Sequence, residues 1–499
     1  MKASSYRDKW SVLKKEGCDP DELKRLSHQI AYSFLDHYLK DCGYEEDYID
    51  LLCEITTFSE DPKLGNPGAQ ALFGIIVETL CDDFEELQTA TYNKVMAQVI
   101  SYCRDIPAGK QLDLTLRHFG IYSQKDLLDR ITKIRANGTS LPREKQIRKI
   151  LLLSRVTIGA DVAITSVIIQ RLSKAFPKAD IVLIGENKLE EIYQGNPSIR
   201  VRKVPYSKKG GLLERLSSWH VILQIVEEEL STCPLERTIL LDPDSRLTQL
   251  GILPIISPDQ YFFFDSRSDT SLNRKMSMAE LTNSWLNTIV GEDHFCYPKV
   301  WIRRSYLDHA EQFCENLRNN GAERIIVVNF GVGGNLRKRL GRRLEEKLLL
   351  TLLQEPKTVI ILDKGYGEEE AADIRSLIEV IRKHGHWVAH SAFGSATLEK
   401  MCPGLIGVTT RIGEIAALIA KSDEFIGYDS ACQHIAAALG TPCLTIFAGS
   451  NNMRFIRRWS AYGPRSCDIV HVDTLTNPGA IDVEDITARI MHVRDIRNH

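Results

Sequence analysis

The stretch from Glu424 to Ala448, EFIGYDSACQHIAAALGTPCLTIFA, constrains the fold more tightly than any other part of the chain. Phe425 to Tyr428 is an apolar run that reads as a strand, Asp429-Ser430 is a helix start signal, and Gly440 stops the helix before Thr441-Pro442. A second apolar strand begins at Cys443. This punctuation specifies one β-α-β unit. A helix entered directly from a strand end points its unpaired N–H groups and its positive dipole end at the crevice, making a site for a phosphate or diphosphate. His434 follows Ser430 by four residues, so hydroxyl, imidazole and backbone donors share one helix face. A simple cap at Asp429 or Ser430 with a core histidine would give the same pattern, so the rest of the chain has to decide.

With 499 residues there is room for two or three domains. A net charge of −3 gives no electrostatic case for nucleic acid or for an anionic membrane surface beyond peripheral contact. No window approaches the ~18 consecutive apolar residues of a membrane span, and MKASSYRDKWSVLKKEG has too many charges for a signal peptide. The 12 cysteines include no C-x-x-C pair, which fits buried thiols in a reducing cytoplasm and neither a disulfide framework nor a zinc knuckle. Asn137-Gly138-Thr139 then reads as an unmodified turn.

Residues 1–140 have helical periodicity and almost no strand alternation. Helices are expected from Asp19-Pro20 to Leu39, Tyr44 to Thr57, Pro67 toward Leu80, Thr91 to Arg104 and Gln124 to Ile134. After a linker from Asn137 to Pro142 the pattern becomes alternating strand and helix. Strands are expected at Lys149 to Ser154, Asp180 to Ile184, Thr238 to Asp242 and Tyr261 to Phe264, with a helix from Val162 to Phe176. A second run from about residue 321 gives Arg324 to Phe330, Thr358 to Leu362, His386 to His390, Phe425 to Tyr428, Cys443 to Phe447 and Asp468 to Val472. The expected organisation is an all-α region at 1–140, Rossmann-like α/β domains at 147–315 and 321–480, and a closing helix in 481–499 able to pack onto the first of them. Two doubly wound domains in tandem would place a ligand cleft between the carboxyl ends of their strands.

Asp161 opens the helix after the first strand, where the dipole stabilises a carboxylate by roughly 0.3 to 1 kcal/mol and keeps it available as a base. It also suits a plain N-cap. Asp242, Asp244 and Arg246 form a second polar cluster in LDPDSRLTQLG, where Asp-Pro-Asp-Ser is turn chemistry in its own right. Directly after a strand, Gly331 to Arg339 (GVGGNLRKR) offers close backbone approach and charge for a phosphate through Arg337, Lys338 or Arg339, or else a solvated basic helix start. Its spacing fits neither a Walker loop nor a dinucleotide fingerprint.

Taken in order, these pieces resemble glycosyltransferase family 9, the bacterial heptosyltransferases of the lipopolysaccharide inner core. Arg155 through Gly159-Ala160-Asp161 resembles the family's R-x-x-x-x-G-D with one residue inserted, and Asn329 to Leu340 resembles its P-G-A-x-x-x-x-K-R-W loop, placing Lys338 on the lysine. Gly365 to Glu368 resembles a strand-G-x-x-E element. Asp429-Ser430-Ala431-Cys432-Gln433-His434 through Pro442 resembles D-[ST]-G-x-x-H-[IL]-A-A-A-L-G-T-P, and the gapless stretch before it puts Thr410 at the base contact. Ala431 replaces a usual glycine, Leu340 a usual tryptophan, and Gly333 and Gly334 stand where hydroxyl residues are common.

The resemblance spans about residues 147–475. It implies a GT-B fold, two Rossmann-like domains facing across a cleft, and an inverting transfer from a nucleotide diphosphate sugar, ADP-heptose, to a hydroxyl on a glycolipid or protein. Asp161 would be the base, with Gly333, Gly334, Lys338, Glu368, Thr410, Asp429, Ser430, Ala431 and His434 binding the donor. No cofactor and no metal are expected, the location is the bacterial cytoplasm, and residues 1–140 are a candidate oligomerisation region. A GT-B nucleotide-sugar epimerase and a non-catalytic carbohydrate- or protein-binding module are the alternatives.

Overall fold

The computed structural model describes residues 2–40, 42–82, 84–136, 140–141, 147–207, 209–268, 275–365, 367–394, 403–476 and 481–498. The turn expected at Asn137-Gly138-Thr139 and the linker end at Pro142 lie outside them. The chain divides into two compact units. One is Met1–Val156 with Lys178–Glu186 and Arg202–Arg274; the other is Thr157–Pro177 with Asn187–Val201 and Lys275–His499.

The first unit begins with helices, as the periodicity requires. Pro20–Leu39 starts where expected because the Asp19 carboxylate accepts from the Glu22 N–H (3.1 Å) and Pro20 needs no donor. The helix expected from Pro67 instead begins at Pro62, capped by Asp61, and holds Pro67 in its interior. It lies close on Asp47–Thr57: a Cβ at Gly65 or Gly68 would come within 2.6 Å of Thr56. The helix then runs through a π-helical segment, Leu72–Val77, into Glu78–Asp82. Ala3–Glu16 and Lys110–His118 are further helices that the caps did not reveal.

Strands β1 (Lys149–Leu153), β2 (Asp180–Gly185), β3 (Ile199–Lys203), β4 (Thr238–Asp242) and β5 (Tyr261–Phe263) form a sheet in the order β3-β2-β1-β4-β5. Its β2-β1-β4-β5 pairings are parallel. Only β3 was unforeseen, because IRVRK alternates charge with apolar residues and reads as a polar loop. Successive strand residues face opposite sides, and Leu151, Leu153, Val182 and Ile184 share one core with Trp10, Tyr48, Ile76 and Met96 of the helices and with Trp219. The helical region therefore covers one face of this sheet.

The second unit carries β6 (Arg324–Asn329), β7 (Thr358–Asp363), β8 (Val388–Ala392), β9 (Gly404–Thr409), β10 (Glu424–Tyr428), β11 (Cys443–Phe447) and β12 (Cys467–His471). All pairings are parallel in the order β12-β11-β10-β6-β7-β9-β8. β9 (GLIGVT) was missed because two glycines dilute its apolar signal. Ile326, Val328, Ile360, Leu362, Ile426 and Leu444 pack with Leu348 and Ile378 of the covering helices. The closing helix, Val483–Asn498, buries Ile486 and Ile490 in this same core. Buried Arg494 fixes it to Glu424 at 2.9 Å. Two parallel α/β sheets preceded by helices are the fold class the sequence implies.

Candidate functional site

In the second sheet the chain passes from β6 to β7, β8 and β9 on one side, then returns to β10, β11 and β12 on the other. The loops after β6 and β10 therefore part at a topological switch point, where open α/β sheets bind ligands. These are the loops singled out by composition. The Lys338 ammonium after β6 is ion-paired with the Asp429 carboxylate after β10 and lies 5.7 Å from the Phe455 ring centre. Gln433 donates to the other Asp429 oxygen (2.6 Å), and the Leu340 N–H donates to the Tyr428 hydroxyl (3.2 Å).

The helix Ala431–Leu439 opens at Ser430 and ends at Gly440, which adopts φ +71 as a stop glycine should. Ser430 is the N-cap with extended backbone, yet its hydroxyl does not cap the helix. That hydroxyl is buried and has no hydrogen-bond partner among the described residues, and Gln433 Oε1 is in the same condition. An unanswered buried polar group costs roughly 1 to 3 kcal/mol, so the helix mouth holds a donor that the fold itself does not use. His434 is buried, edge-on to Trp459 at 6.2 Å. Burial, with Lys338 adding and Asp429 opposing, pulls its pKa down to about 4. At neutral pH it offers a hydrogen bond and no charge.

The helical turn Ile158–Ala160 packs directly on this helix: a Cβ at Gly159 would lie 3.0 Å from His434 Cδ2 and 3.3 Å from the Ala431 Cα. Asp161, expected at the helix start, comes after Thr157 as N-cap and opens a π-helical turn, Asp161–Thr165, so it is not an N-cap. Its side chain is fully buried and accepts from the Thr165 hydroxyl (2.8 Å), while its carbonyl accepts from Tyr193 (2.7 Å). Just upstream, Val156 holds φ +75, an outlier for a β-branched residue.

Arg155 is turned to structural work: its guanidinium donates to the Pro243 and Asp244 carbonyls, both at 2.8 Å. Burial would raise the Asp244 pKa, but Arg267 and Arg155 hold it below the usual value. Asp242 accepts from Thr248, Tyr261 and the Ser245 N–H, and burial lifts its pKa to about 6 despite those bonds. The Asp242 to Arg246 cluster thus ties the loops after β1 and β4 together.

Across the second sheet a polar row runs along the strand ends. Asn329 donates to Asp363 (2.7 Å) and to the same carboxylate the Thr410 hydroxyl donates at 2.9 Å. Burial raises Asp363 to about 6, against the pull of both bonds. Gly333 and Gly334 adopt φ +61 and +86 in the exposed part of the loop, and Ala431 is partly buried at the helix start. Glu368 points to solvent and pairs with Arg375. Glu370 turns inward instead: its Oε2 lies 2.5 Å from where a Gly365 Cβ would sit and 3.7 Å from a Gly331 Cβ. Lys338, Asp429, Ser430 and His434 are thus gathered at the helix mouth, Thr410 lies along the strand-end row, and Glu368 stands apart.

Gln433, Asn329, Asp363 and Glu370 were not singled out from sequence. The signal for two of them was present: Asn329 and Asp363 end unbroken apolar runs, IIVVN and VIILD, where a polar side chain must emerge at the sheet's carboxyl edge. Among the described residues no group of three or more His, Cys, Asp or Glu could hold a metal ion, and no helix is long and apolar enough to cross a membrane.

Residues 391–473, which contain this helix mouth, match the model of glycosyltransferase family 9 (heptosyltransferase). No curated protein is matched by the whole sequence. Among solved structures, a family 9 glycosyltransferase from Veillonella parvula is similar at 16% identity over 71% of this chain and 100% of its own, with a TM-score of 0.49. E. coli heptosyltransferase WaaC with ADP is similar at 14% identity over 69% of this chain and 99% of its own, TM-score 0.47. E. coli ADP-heptose lipopolysaccharide heptosyltransferase II is similar at 14% identity, covering 69% and 98%, TM-score 0.44. At these scores the fold assignment rests on the strand order and parallel pairing described above.

Proposed function

We propose that this chain, a glycosyltransferase of family 9 by the match of residues 391–473, moves a heptose from ADP-heptose to a hydroxyl on a glycolipid or protein acceptor. The observation that carries the donor reading is the buried, unpartnered Ser430 hydroxyl at the mouth of Ala431–Leu439, beside Lys338. A diphosphate there would receive the Ser430 hydroxyl, the first-turn amides and the positive dipole end. Lys338, bridging from Asp429, would supply the countercharge, and neutral His434 a hydrogen bond. Well-placed donors of this kind are each worth roughly 10² to 10³ in rate when they meet charge developing on a leaving group.

In the chemical step the acceptor hydroxyl would give its proton to Asp161 as its oxygen attacks the anomeric carbon. The bond from that carbon to the diphosphate oxygen breaks, ADP leaves with the electron pair, and the configuration inverts. Asp161 is fully covered, so this role requires the π-helical turn that carries it to shift when acceptor enters. We further propose a reaction without a bound metal, a cytoplasmic location, and oligomerisation through residues 1–140.

The test is a calorimetric titration of ADP, GDP, UDP and dTDP into wild type and Ser430→Ala, followed by an assay of nucleotide release with and without acceptor. The reading expects ADP to bind best, its affinity to fall roughly tenfold in the variant, and release to require acceptor. Asp161→Asn should keep ADP binding and lose turnover. Unchanged ADP affinity in Ser430→Ala refutes the diphosphate placement, acceptor-independent turnover of the donor favours an epimerase, and a chelator effect reversed by a divalent ion refutes metal independence.

A further inference from the structure

A second feature of the molecule lies wholly within the first unit and has no part in the donor site. The π-helical segment Leu72–Val77 and the turn after it present Phe73, Gly74 and Glu78 to a cavity of about 240 Å³, whose other walls include Tyr92, Tyr206, Arg215 and Arg246. Three observations mark this cavity as built to receive something. π-Helical turns in α-helices concentrate at functional sites. Gly74 stands inside a helix, where glycine costs roughly 1 kcal/mol relative to alanine, yet a Cβ there would meet nothing within 4 Å. No packing demand explains the glycine; a side chain would project into open space. The loop that delivers Arg246 is also strained, with Asp244, Gln249 and Leu250 all at positive φ.

The charge in the cavity is not balanced. Arg246 grips Glu78 with both terminal nitrogens, at 2.7 and 3.2 Å, so that carboxylate is already answered. Arg215 lies over the Phe73 ring at 4.2 Å, donates only to the Gly210 carbonyl (3.3 Å), and has no carboxylate partner among the described residues. Burial lowers its pKa, with Arg246 adding to the fall, and the charges of Tyr206 and Glu78 offset this only in part. Among the described lining residues two guanidiniums face one carboxylate. Tyr92 and Tyr206 add flat apolar faces with hydroxyl edges, the surface that suits a polar ring. The volume is below the usual range for a drug-sized ligand and suits a single ring.

We propose that this cavity is a ligand site for a carboxylate- or phosphate-bearing group of about one sugar ring, with Arg215 as its charge partner and the Gly74 surface as its floor. The proposal rests on the cavity alone and does not depend on the donor reading. It is tested on the full chain by calorimetric titration of galacturonate and glucose 6-phosphate, with uncharged galactose as control, into wild type, Arg215→Gln and Gly74→Phe. The expected result is saturable binding of at least one charged probe and none of galactose, with affinity roughly tenfold weaker in each variant while ADP binding is unchanged. Arg215→Gln removes the charge and Gly74→Phe fills the space, so a folding defect in one leaves the other informative. If the anion belongs to the acceptor, the bound probe raises the acceptor KM and leaves kcat intact; if it is a free effector, it changes kcat. Absence of saturable binding at low millimolar concentration, or equal binding in both variants, overturns the proposal.

Discussion

Replacing Gly159 with alanine separates two effects that ordinarily go together. In a helix, glycine to alanine gains roughly 0.5 to 1 kcal/mol from restricted backbone freedom in the unfolded chain. At Gly159 the new methyl would stand 3.0 Å from His434 Cδ2 and 3.3 Å from the Ala431 Cα. The first neighbour is a buried ring edge-on to Trp459, and the second is backbone at the start of a helix, so neither yields easily. Overpacking of this kind costs about 1 to 3 kcal/mol, which outweighs the propensity gain and leaves a net loss of up to about 2.5 kcal/mol. Hydrogen exchange resolved along 158–165 and 431–439 should accelerate, by up to roughly 70-fold, since the loss falls on the local opening of this helix pair. Gly74→Ala is the matched control: nothing lies within 4 Å of its Cβ, so exchange around it should slow. If Gly159→Ala slows exchange at 431–439, the close packing of the two helices is wrong.

Ser430→Ala removes a buried hydroxyl with no partner, so the melting temperature without nucleotide should hold or rise, while the rise produced by ADP shrinks. A fall without nucleotide would mean that the hydroxyl is satisfied within the fold. The His434 pKa is depressed from 6.5 to about 4, so the unfolded chain binds the extra proton first as pH falls. Its contribution is therefore lost between about pH 6.5 and 4, to the extent of about 3 kcal/mol, and His434→Gln should flatten urea stability across that window. Asp363 works in the opposite sense: its folded pKa is raised from 3.8 to about 6, so stability present below 3.8 is lost as pH rises through 6. Asp363→Asn should abolish that loss, because Thr410 can rotate to accept from the new amide while Asn329 still donates to its oxygen. A stability profile over pH 4 to 7 identical to wild type would refute the buried-carboxylate assignment.

How far the sequence could be read depends on what kind of constraint each residue answers. Pro20, Gly440 and the run Cys443 to Phe447 obey local rules, backbone torsion and apolar continuity, and fall where those rules put them. Pro67 also carries a local signal, but tertiary contact overrides it: Gly65 and Gly68 let the helix lie against Thr56, so the start moves back to Asp61 and Pro62. At the site, Lys338, Asp429, Ser430 and His434 were legible because each stands beside a strand end or a helix start. The inward turn of Glu370 and the outward turn of Glu368 were not, because two carboxylates in one first turn differ only in the direction set by the surrounding fold. The same limit hid Thr410's engagement with Asp363, whose strands are separated in sequence and joined only by the sheet order.

The two sheets each have a switch point, and their polar groups separate the roles of the two crevices. Beside β1 and β4, Asp242 and Asp244 stand among Arg155 and Arg267, hydroxyls and backbone groups, so opposite charges answer one another inside the protein. Beside β6 and β10, Lys338 and Asp429 cancel, His434 is uncharged at neutral pH, and what remains is the positive end of Ala431–Leu439 with an unanswered Ser430 hydroxyl. Both crevices hold an ion pair, Arg267–Asp244 in the first and Lys338–Asp429 in the second, and the second sets its pair beside the start of Ala431–Leu439 and the Ser430 hydroxyl. That helix start and hydroxyl favour the second sheet for the proposed diphosphate. Lys338→Met exposes the logic: it leaves Asp429 held by Gln433 alone, adds an uncompensated negative charge at the helix mouth, and should weaken ADP more than Ser430→Ala does. ADP affinity that survives Lys338→Met while falling in Ser430→Ala would show that the hydroxyl and dipole suffice and that the lysine serves only to seat Asp429.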